Sequence, residues 1–350
     1  MQKHFLTLEG NELSLPLFFP DATAGFVREL SWDDVKTLKL PGVLVNTFHL
    51  LKDYGYQKTV SVGGVRPLIG WDGAIISDSG GFQVMSLAKK GSGSISDEGV
   101  TFVIDNVTHL LTPEESIRYQ LAMRTDLCVV LDDFTPPDAT YEEALLTVER
   151  TTAWAKRCKD TFVKLNPSPK PYLIGVVQGG RYPDLRMRSL LDLVKINFDG
   201  YAYGGWSHTN DGLYDYDLAQ TIVETGGSDK LYFGLGVGKP HEIVKFSRLG
   251  WQIFDCVLPT RDARHGRLYI YNHYDLSRSD FYSTYNPRHA SHLTESTPVS
   301  SLCDCELCTT LSRARLANMW RARDRQVLRL ATIHNLRFYS LLVEKLRLTT

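Results

Sequence analysis

Three cysteines and one histidine near the end of the chain have the types and spacing of a metal site. Cys303, Cys305 and Cys308 fall within six residues, and His334 follows on a later segment. Three thiolates and an imidazole complete the tetrahedral shell of Zn²⁺ and leave no open position for a substrate. We therefore predict one structural zinc ion per chain. The alternative is a set of three free thiols in a reduced protein.

Carboxylates and an amide form a second set of candidate functional residues, because they end several apolar segments of the chain. Asp78 and Asp255 end two different segments. Two such carboxylates are the minimum for chemistry at a sugar C1′, where one attacks and the other transfers protons. Asp132 and Gln178 end two more segments and offer donors and acceptors to the edge of a purine-like heterocycle. For any single one of these residues, the alternative is a helix N-cap.

Short, nearly continuous apolar segments must position these residues. Such segments are typical of parallel strands buried on both faces. Eight of them with helical patterns between them predict a TIM barrel, and a doubly wound open sheet is the alternative. In a barrel, the polar strand ends meet at the carboxyl-terminal face, where active sites lie. The predicted strands are Leu15–Phe19, Val43–Thr47, Ala74–Asp78, Leu127–Asp133, Tyr172–Gln178, Gly200–Gly205, Leu231–Val237 and Ile253–Leu258.

Helix signals fill most of the gaps between the strands. Thr112-Pro113-Glu114-Glu115 is a capping box with proline at the first helical position, and it begins a helix that runs to about Arg124. We divide the chain into a barrel, residues 1–272, and a zinc-binding subdomain, residues 273–350. The other predicted elements are helices at Tyr141–Val163, Asp184–Lys195 and Pro240–Leu249 and a β-hairpin at Thr101–Leu111.

The charge of the chain is unevenly distributed, although its net value is −1. Residues 309–350 hold nine basic and two acidic residues, a balance of +7, so the remaining residues carry −8. A basic helix beside a metal site favours a phosphate backbone as partner, and a solvated helix face is the alternative. The arginines that we place on one helix are Arg313, Arg315, Arg321, Arg323, Arg325 and Arg329.

No segment of the sequence predicts a membrane or secretory protein. Apolar runs stay well short of the roughly 20 residues that span a bilayer, and the first ten residues lack the apolar core of a signal peptide. The cysteines outside the cluster are scattered, which argues against a disulfide framework, and Cys256 is interpreted as a core residue. We therefore predict a soluble, cytoplasmic protein with no membrane partner.

Four segments and the metal motif together resemble one enzyme family. The segments are DSGGFQVMSL (78–87), GVVQGG (175–180), FGLGVGKP (233–240) and FDCVLPTRDAR (254–264), and they occur with the cysteine cluster and the His-Asn pair 334–335. Together they resemble the tRNA-guanine transglycosylases, from about residue 15 to 345. The resemblance implies a TIM barrel with a zinc-binding insertion that acts as a homodimer. It also implies a pentosyltransferase that replaces a guanine of tRNA with a 7-deazaguanine base, preQ1 or queuine. The expected target is the wobble guanine of GUN anticodons, in queuosine modification.

The same resemblance implies roles for individual residues. Asp255 is implied to be the nucleophile that attacks C1′ and forms a covalent ribosyl–enzyme intermediate, and Asp78 is implied to be the general acid and base. The residues implied to bind the base are Asp132, Gln178, Gly205, Ser79, Phe82 and Leu235, and those implied to contact RNA are Lys239, Arg261 and Arg264.

One loop departs from the pattern of the family. Bacterial members have Gly-Gly-Leu-(Ala/Ser)-Val-Gly-Glu where this chain has Gly204-Gly205-Trp206-Ser207-His208-Thr209-Asn210, and Phe134 replaces a common cysteine. The loop is implied to lie near the 7-substituent of the base, so the base accepted and the choice between tRNA and DNA stay open. Packing and a surface position are the alternatives for Trp206 and His208. Three other functions remain: a non-catalytic tRNA-binding subunit of a heteromeric enzyme, a DNA-modifying enzyme and a glycoside hydrolase.

Overall fold

Eight short strands form one all-parallel sheet in the computed structural model, which describes residues 4–8, 11–87, 93–104, 106–205 and 212–348. The strands are almost entirely buried, because the barrel interior covers one face and helices cover the other. In chain order they are β1 Leu17–Pro20, β2 Gly42–Asn46, β3 Ala74–Asp78, β4 Leu127–Val129, β5 Tyr172–Val177, β6 Gly200–Tyr203, β7 Leu231–Gly234 and β8 Ile253–Cys256.

The sheet closes on itself. Its strand order is β1-β8-β7-β6-β5-β4-β3-β2, and a parallel bridge between Asp21, just after β1, and Leu44 in β2 joins the two edges. At this seam the backbone N–H of Ala22 donates to the carbonyl of Leu44 at 2.8 Å. Eight consecutive parallel strands in a closed order make a TIM barrel. The predicted fold is therefore confirmed, and the doubly wound sheet is wrong.

All eight predicted strands are present, but most end earlier than their apolar runs do. Ala74–Asp78 agrees residue for residue, whereas the strand predicted to reach Asp133 ends at Val129. Beyond Val129 the chain keeps one ladder-type bond, from the N–H of Val130 to the carbonyl of Ile174 at 3.1 Å. The polar residues after the strands therefore lie in the loops at the mouth of the barrel.

Helices follow most of the strands, and several of them begin at a side-chain cap. The hydroxyl of Thr112 accepts from the N–H of Glu115 at 3.1 Å, and the carboxylate of Glu115 accepts from the N–H of Thr112 at 3.3 Å. The four predicted helices are confirmed with ends within two residues. The helices are α1 Trp32–Thr37, α2 Thr47–Ser61, α3 Val65–Ile69, α4 Gly81–Leu87, α5 Pro113–Met123, α6 Tyr141–Leu165, α7 Pro183–Ile196, α8 Tyr216–Gly226, α9 Pro240–Arg248, α10 Leu258–Arg264, α11 Glu306–Thr310, α12 Arg313–Arg321 and α13 Gln326–Arg347.

In the described part of the chain, three small antiparallel sheets lie outside the barrel sheet. The predicted hairpin at residues 101–111 is confirmed as Val100–Ile104 paired with Val107–Leu111, and Gly93–Ile95 adds a third strand. A second sheet joins the short strands Phe5–Leu8 and Asn11–Ser14. The third sheet pairs residues 268–271 with 282–285 and spans the predicted domain boundary at residue 272. The division into two domains stays a prediction.

The prediction of a single basic helix is wrong. The six arginines lie on α12, on the start of α13 and on the turn between them. In this turn Arg323 adopts a left-handed conformation with φ of 56°, which ends α12. The carboxylate of Asp324 then accepts from the N–H of Gln326 at 2.9 Å and starts a new helix.

Helix α13 is buried along most of its length, because it packs against the barrel rather than lying on the surface. Its Arg329 donates to Asp34 of α1 and to Glu306 of α11, which ties the cysteine-rich segment to the barrel. Arg329 is thus engaged within the protein and is not part of a free basic surface. Within the described ranges, no helix has the length and apolar character needed to cross a membrane.

Candidate active site and metal centre

Asp78 ends β3, and both oxygens of its carboxylate accept hydrogen bonds. Asn46, at the end of β2, donates from Nδ2 to Asp78 Oδ2 at 2.8 Å, and the N–H of Gly80 donates to Oδ1 at 3.3 Å. Gly80 has φ of 80°, and a Cβ there would lie 2.8 Å from the backbone N of Phe48, so this close approach requires glycine. Burial raises the pKa of Asp78, although these hydrogen bonds oppose the shift. A carboxyl group with a raised pKa is better able than an ordinary one to carry a proton during a reaction.

Asp255 lies in β8 at the same mouth of the barrel. The N–H of Gly236, in the loop after β7, donates to Asp255 Oδ1 at 3.0 Å. Burial raises the pKa of Asp255 to about 7, against this hydrogen bond, and the negative charges of Asp78 and Asp21 raise it further. A carboxylate with a raised pKa is a stronger base and nucleophile than an ordinary one. The strand register from β8 through β1 and β2 to β3 places Asp255 and Asp78 on the same face of the barrel wall.

Asp132 and Gln178 meet across the mouth, as the sequence predicts for the ends of two neighbouring strands. Gln178 Nε2 donates to Asp132 Oδ2 at 2.6 Å, and Gln178 Oε1 accepts from the N–H of Thr135 at 3.3 Å. These two contacts fix which way the buried amide points. Burial raises the pKa of Asp132 to about 7, opposed by the bond from Gln178 and assisted by the charges of Asp78 and Asp133. The pair forms a polar wall with both donors and acceptors.

Two glycines after β6 let the backbone lie directly against this polar wall. Gly205 has φ of 67°, and a Cβ there would lie 2.8 Å from Gln178 Oε1. A Cβ on Gly204 would lie 2.8 Å from Gln178 Nε2. Any side chain at either position would push the amide away from Asp132. The residues that follow, 206–211, lie outside the described residues, so the predicted roles of Trp206, His208 and Asn210 stay predictions.

The remaining residues predicted to bind the base lie around these carboxylates. Ser79 is buried, and its Oγ accepts from the N–H of Gly81 at 3.2 Å. Phe82 is 52% exposed and packs edge-to-face on Phe134, with ring centroids 5.0 Å apart. Leu235 is half-buried, next to the glycine that donates to Asp255. The aromatic pair gives the mouth an apolar face on which a flat heterocycle can stack.

The residues predicted to contact RNA lie on the loop after β7 and on α10. Lys239 and Arg261 are exposed, and Lys239 Nζ also donates to Glu242 at 3.0 Å. Arg264 is half-buried, and its Nη1 is buried with no hydrogen-bond partner among the described residues. Burial lowers the pKa of Arg264, and the nearby positive charges of other rim arginines contribute. These cations flank the pocket, which is the arrangement required to hold a phosphate backbone at its entrance.

Arg186 is a structural member of the site that sequence reasoning missed. Its guanidinium is fully buried, and it donates to three backbone carbonyls: Gly180 at 2.9 Å, Val177 at 2.8 Å and Gly204 at 2.5 Å. It also stacks over the ring of Tyr203 at 4.7 Å. Through these hydrogen bonds Arg186 holds together the ends of β5 and β6, next to Gln178 and Gly205. A lone arginine in an amphipathic helix gives no sequence signal of this role.

Asn46 and Asp21 also belong to the pocket. Asn46 lies near the end of a predicted strand, but the sequence analysis predicts no role for it. Its Nδ2 donates to Asp78 and to Gln83, each at 2.8 Å. Asp21 follows β1 at the seam of the barrel, and its charge acts on Asp255. The rule that located Asp78, a polar residue after an apolar segment, would have located Asp21 as well.

The predicted metal ligands converge in the C-terminal segment. The ligand atoms of Cys303, Cys305, Cys308 and His334 lie within 4.8 Å of one another. His334 Nδ1 is 3.5 Å from Cys305 Sγ and 3.3 Å from Cys308 Sγ. A tetrahedral zinc ion with ordinary bond lengths requires about 3.5 Å between sulfur and nitrogen ligands. His334 Nε2 is 2.7 Å from the carbonyl of Tyr269, which fixes the ring with Nδ1 toward the cysteines.

Helix α13 connects this metal centre to the carboxylate pocket. Asn335, next to the ligand His334, donates to the carbonyls of Pro259 and Arg267 at 3.0 and 2.9 Å. One turn further, the hydroxyl of Tyr339 donates to the carbonyl of Gly238 at 2.6 Å. Pro259 and Gly238 lie on the two segments that flank Asp255. The candidate metal centre is therefore connected through α13 to the segments on either side of Asp255, and none of its four ligand residues is among the residues predicted to bind the substrate.

A cavity of about 860 Å³ lies at the opposite end of the barrel. Its lining includes Arg66, Arg124 and Asp126, which precede or cover the amino-terminal ends of the strands, and Tyr172 at the start of β5. None of the predicted site residues lines it. Because the carboxylates and the polar wall occupy the other face, we assign the candidate active site to the carboxyl-terminal mouth.

Sequence comparison agrees with this geometry. The family described as "Queuine tRNA-ribosyltransferase" matches residues 4–349. The chain belongs to this family. Proteins named queuine tRNA-ribosyltransferase from Solidesulfovibrio magneticus and Acinetobacter baumannii are 36% and 37% identical over 348 and 344 residues, each covering 98% of this chain and 88% of the relative. A third, from Psychrobacter cryohalolentis, is 35% identical over 97% of this chain and 87% of its own length.

The queuine tRNA-ribosyltransferase match extends over both functional regions of the chain. Residues 4–349 include every barrel strand and all four candidate metal ligands. The resemblance found from separate short motifs is thereby confirmed at the level of the family. The family match therefore covers the barrel mouth and the candidate metal ligands together.

Proposed function

We propose that this chain replaces a guanine of tRNA with a 7-deazaguanine base through a covalent Asp255–ribosyl intermediate. Membership of the family assigns the enzyme class, a pentosyltransferase of the tRNA-guanine transglycosylase type. One observation carries the finer proposal: the strand register places Asp255 of β8 and Asp78 of β3 on the same face at one mouth of the barrel, and burial raises the pKa of each. Such a pair supplies a nucleophile and a proton carrier.

The two carboxylates divide the reaction between them. A carboxylate oxygen of Asp255 attacks C1′ of the target nucleoside, the bond from C1′ to N9 breaks, and Asp78 protonates the departing guanine. The incoming base then gives its N9 proton to Asp78 and attacks C1′, which releases Asp255. Bonds and protons balance over the two steps, so the exchange consumes neither a redox cofactor nor a nucleoside triphosphate.

The polar wall of Asp132 and Gln178 recognises the base by hydrogen bonds. Asp132 and the amide of Gln178 present an acceptor and a donor side by side, which matches the amino, imino and carbonyl groups along the edge of guanine. Gly205 keeps the backbone flush with this wall. Since 7-deazaguanine bases share that edge, one pocket can hold the departing and the incoming base in turn. Whether preQ1 or queuine enters depends on the loop after Gly205.

The nucleic acid binds across the rim of the barrel. Lys239, Arg261 and Arg264 supply positive charge around the mouth, and such charge holds a polynucleotide through its phosphates. The target base must leave its stack to reach carboxylates inside the barrel. We propose the wobble guanine of GUN anticodons as the target, because an anticodon loop presents unstacked bases more cheaply than a duplex does.

Zinc is the metal that best fits the Cys303, Cys305, Cys308 and His334 set. Thiolate and imidazole ligands in a closed tetrahedral shell are typical of structural zinc. When bound, the ion supplies folding energy and not chemistry. It would hold the loop of the three cysteines against α13, and through Asn335 it would hold the segment that carries Asp255.

The proposal is tested by base exchange into unmodified tRNA. Purified enzyme should incorporate labelled guanine into transcripts with a GUN anticodon and form an adduct that survives denaturing electrophoresis. Asp255→Ala should abolish both while tRNA binding persists. The matched control is Asp72→Asn, an exposed carboxylate with 76% side-chain exposure that pairs with Lys36. Normal turnover by Asp255→Ala, or no incorporation by the wild type, would refute the proposal.

Three finer points belong to the same proposal. Competition among guanine, preQ1 and queuine for incorporation would identify the preferred base. A homodimer is proposed from the family resemblance, and light scattering of the purified protein would measure it. The division at residue 272 is tested by expressing 1–272 alone. We expect that fragment to be unstable, because Arg329 and Asn335 of α13 hold barrel segments in place.

A further inference from the structure

We propose that Asp21 binds the 2′-hydroxyl of the target ribose and so makes the enzyme select RNA over DNA at the exchanged nucleotide. The inference rests on the proposed function, because it needs Asp255 to act on a nucleotide in this pocket. It concerns a residue that neither the motifs nor the family resemblance singled out.

Asp21 lies between the two reacting carboxylates. It follows β1, and the neighbours of β1 in the closed sheet are β8, which carries Asp255, and β2, which ends at Asn46. The next strand, β3, ends at Asp78. The three carboxylates therefore stand on one side of the mouth, with Asp21 at the seam.

The register turns the side chain of Asp21 into the pocket. Asp255 pairs with Phe19 in β1, and Asp21 is two residues beyond Phe19. On the other side, Asp21 is bridged to Leu44, and Asn46 is two residues beyond Leu44. Paired residues of parallel strands point to the same face, and so do residues two apart. Asp21 thus shares the inward face of Asp255 and Asn46.

One oxygen of this carboxylate is engaged and the other is available. Thr23 donates to Asp21 Oδ1 from its backbone N–H at 3.2 Å and also from its hydroxyl. Over the described parts of the chain, Oδ2 accepts no hydrogen bond, and Asp21 has no ion pair within 4.0 Å. Arg264 is near enough for the charge of Asp21 to act on it, but the two are not paired. This oxygen is therefore available to accept a hydrogen bond from a ligand.

The chemistry of an internal nucleotide identifies that donor. The 3′ and 5′ oxygens are esterified to phosphate, so the 2′-hydroxyl is the one ribose hydroxyl that can donate. It is attached to the carbon next to C1′, the atom that Asp255 attacks. A hydrogen bond from a 2-hydroxyl to an enzyme carboxylate strengthens as positive charge develops at the anomeric carbon. The 2′-hydroxyl is also the group by which a protein distinguishes RNA from DNA.

The negative charge of Asp21 beside Asp255 agrees with this role. Burial is the main cause of the raised pKa of Asp255, and the charges of Asp78 and then Asp21 add to it. Holding two carboxylates together is costly unless a donor lies between them. The ribose brings a donor with every substrate, so the charge of Asp21 is compensated when the reaction begins.

The experiment compares two RNA minihelices that differ in one atom, with guanosine or 2′-deoxyguanosine at the target position. The quantity measured is the ratio of kcat/KM for the two substrates, for wild type, Asp21→Ala and Asp21→Asn. Asp21→Asn keeps an oxygen for Thr23 and so preserves the turn after β1. The matched control is Glu29→Gln, which removes an exposed negative charge near Arg264 without changing Asp21. The intrinsic effect of the 2′-oxygen on C1′ reactivity is common to all variants and cancels in the comparison.

The wild type should prefer the ribose substrate, and both Asp21 variants should lower that preference by roughly tenfold to hundredfold, the range typical of a hydrogen bond to a charged group. Glu29→Gln should leave the ratio unchanged. If Asp21→Ala slows both substrates equally, or changes neither, the inference is wrong. If a variant is too slow to assay, the ratio of the equilibrium dissociation constants of the two minihelices is measured instead, in an Asp255→Asn background, and removal of Asp21 should lower that ratio too.

The two proposals fail in different ways. If the wild type exchanges guanine but the ribose preference does not depend on Asp21, the inference fails and the proposed function stands. If the wild type exchanges guanine into no polynucleotide, both fail. If DNA serves as well as RNA in the wild type, Asp21 has no selective role and the inference is overturned.

Discussion

Replacement of Asp255 by asparagine is expected to stabilise the folded protein at pH 8 while it removes the exchange activity. Burial raises the pKa of Asp255 from the ordinary value of 3.8 to about 7, with contributions from the charges of Asp78 and Asp21. Between these two pH values the folded protein keeps a proton that the unfolded chain has lost. Stability from this group is therefore present below pH 4 and is lost as the pH rises through 7. Asparagine still accepts from Gly236 and has no such loss.

The magnitude follows from the size of the shift. Three pKa units correspond to about 4 kcal/mol, which is an upper limit because Asp255 is only half-buried and water screens its charge. We expect a gain of about 1–2 kcal/mol at pH 8, of which about a third remains at pH 5. With an unfolding entropy of about 2.1 cal/mol/K per residue, the 350-residue chain gains about 1.4 °C in Tm per kcal/mol. The Tm should therefore rise by about 1.5–3 °C.

The assay is thermal unfolding of metal-loaded wild type and Asp255→Asn at pH 5, 6, 7 and 8. Only the change of the Tm difference with pH is interpreted, so any constant effect of the amide cancels. Asp72→Asn, at an exposed carboxylate, should show no pH-dependent gain. The wild-type kcat/KM should fall about tenfold per unit below pH 7, because protonated Asp255 is no nucleophile. A Tm difference that stays flat or shrinks from pH 5 to 8 would refute the reasoning.

Three further changes test other parts of the site. Gly205→Ala should lower kcat/KM for guanine roughly tenfold or more, because the added methyl group displaces Gln178. The control Gly212→Ala, at a glycine with φ of 77° and open space around it, should keep the activity. Steady-state kinetics measures both variants, and equal activity would contradict the argument that a side chain at Gly205 crowds Gln178. Cys305→Ser should reduce the metal content from about one ion per chain and lower the Tm, as elemental analysis and calorimetry would show; full retention of zinc would exclude this ligand. Arg186→Met should lower the free energy of unfolding by about 3 kcal/mol or more, because the buried carbonyls of Gly180 and Gly204 lose this donor and Val177 keeps only the N–H of Gly204. An unchanged Tm would contradict that role.

The barrel could be predicted because each strand carries its own local signal. Continuous apolar runs bounded by polar residues located all eight strands, and Ala74–Asp78 was correct at both ends. The ends of other strands were overextended, since an apolar run such as Leu127–Leu131 continues past the last paired residue. Where a ladder stops depends on the neighbouring strand, and a single segment holds no information on its partner.

The site was only partly predictable, for a related reason. Residues aligned with a motif, such as Asp78 and Gln178, were found. Arg186 was missed because burial of an arginine depends on carbonyls from two other strands. The break after α12 was missed because Arg323, an ordinary residue, adopts the left-handed conformation there. Asp21 follows an apolar segment as Asp78 does, but its position on the same face as Asp255 and Asn46 depends on closure of the barrel against β2, which one segment alone does not reveal.

Helix α13 connects the candidate metal centre to the two segments on either side of Asp255. Asp255 lies between two segments, the loop at Gly238 and the start of α10 at Pro259, and helix α13 holds both through Tyr339 and Asn335. The same helix carries His334, so metal binding fixes its position relative to the barrel. Loss of the ion should therefore move the nucleophile before it unfolds the barrel, since none of the four candidate ligands lies on a strand of the eight-stranded sheet. Chelation followed over time should abolish exchange earlier than it reduces the far-ultraviolet circular dichroism, and a simultaneous loss of both would show that the metal supports the whole fold instead.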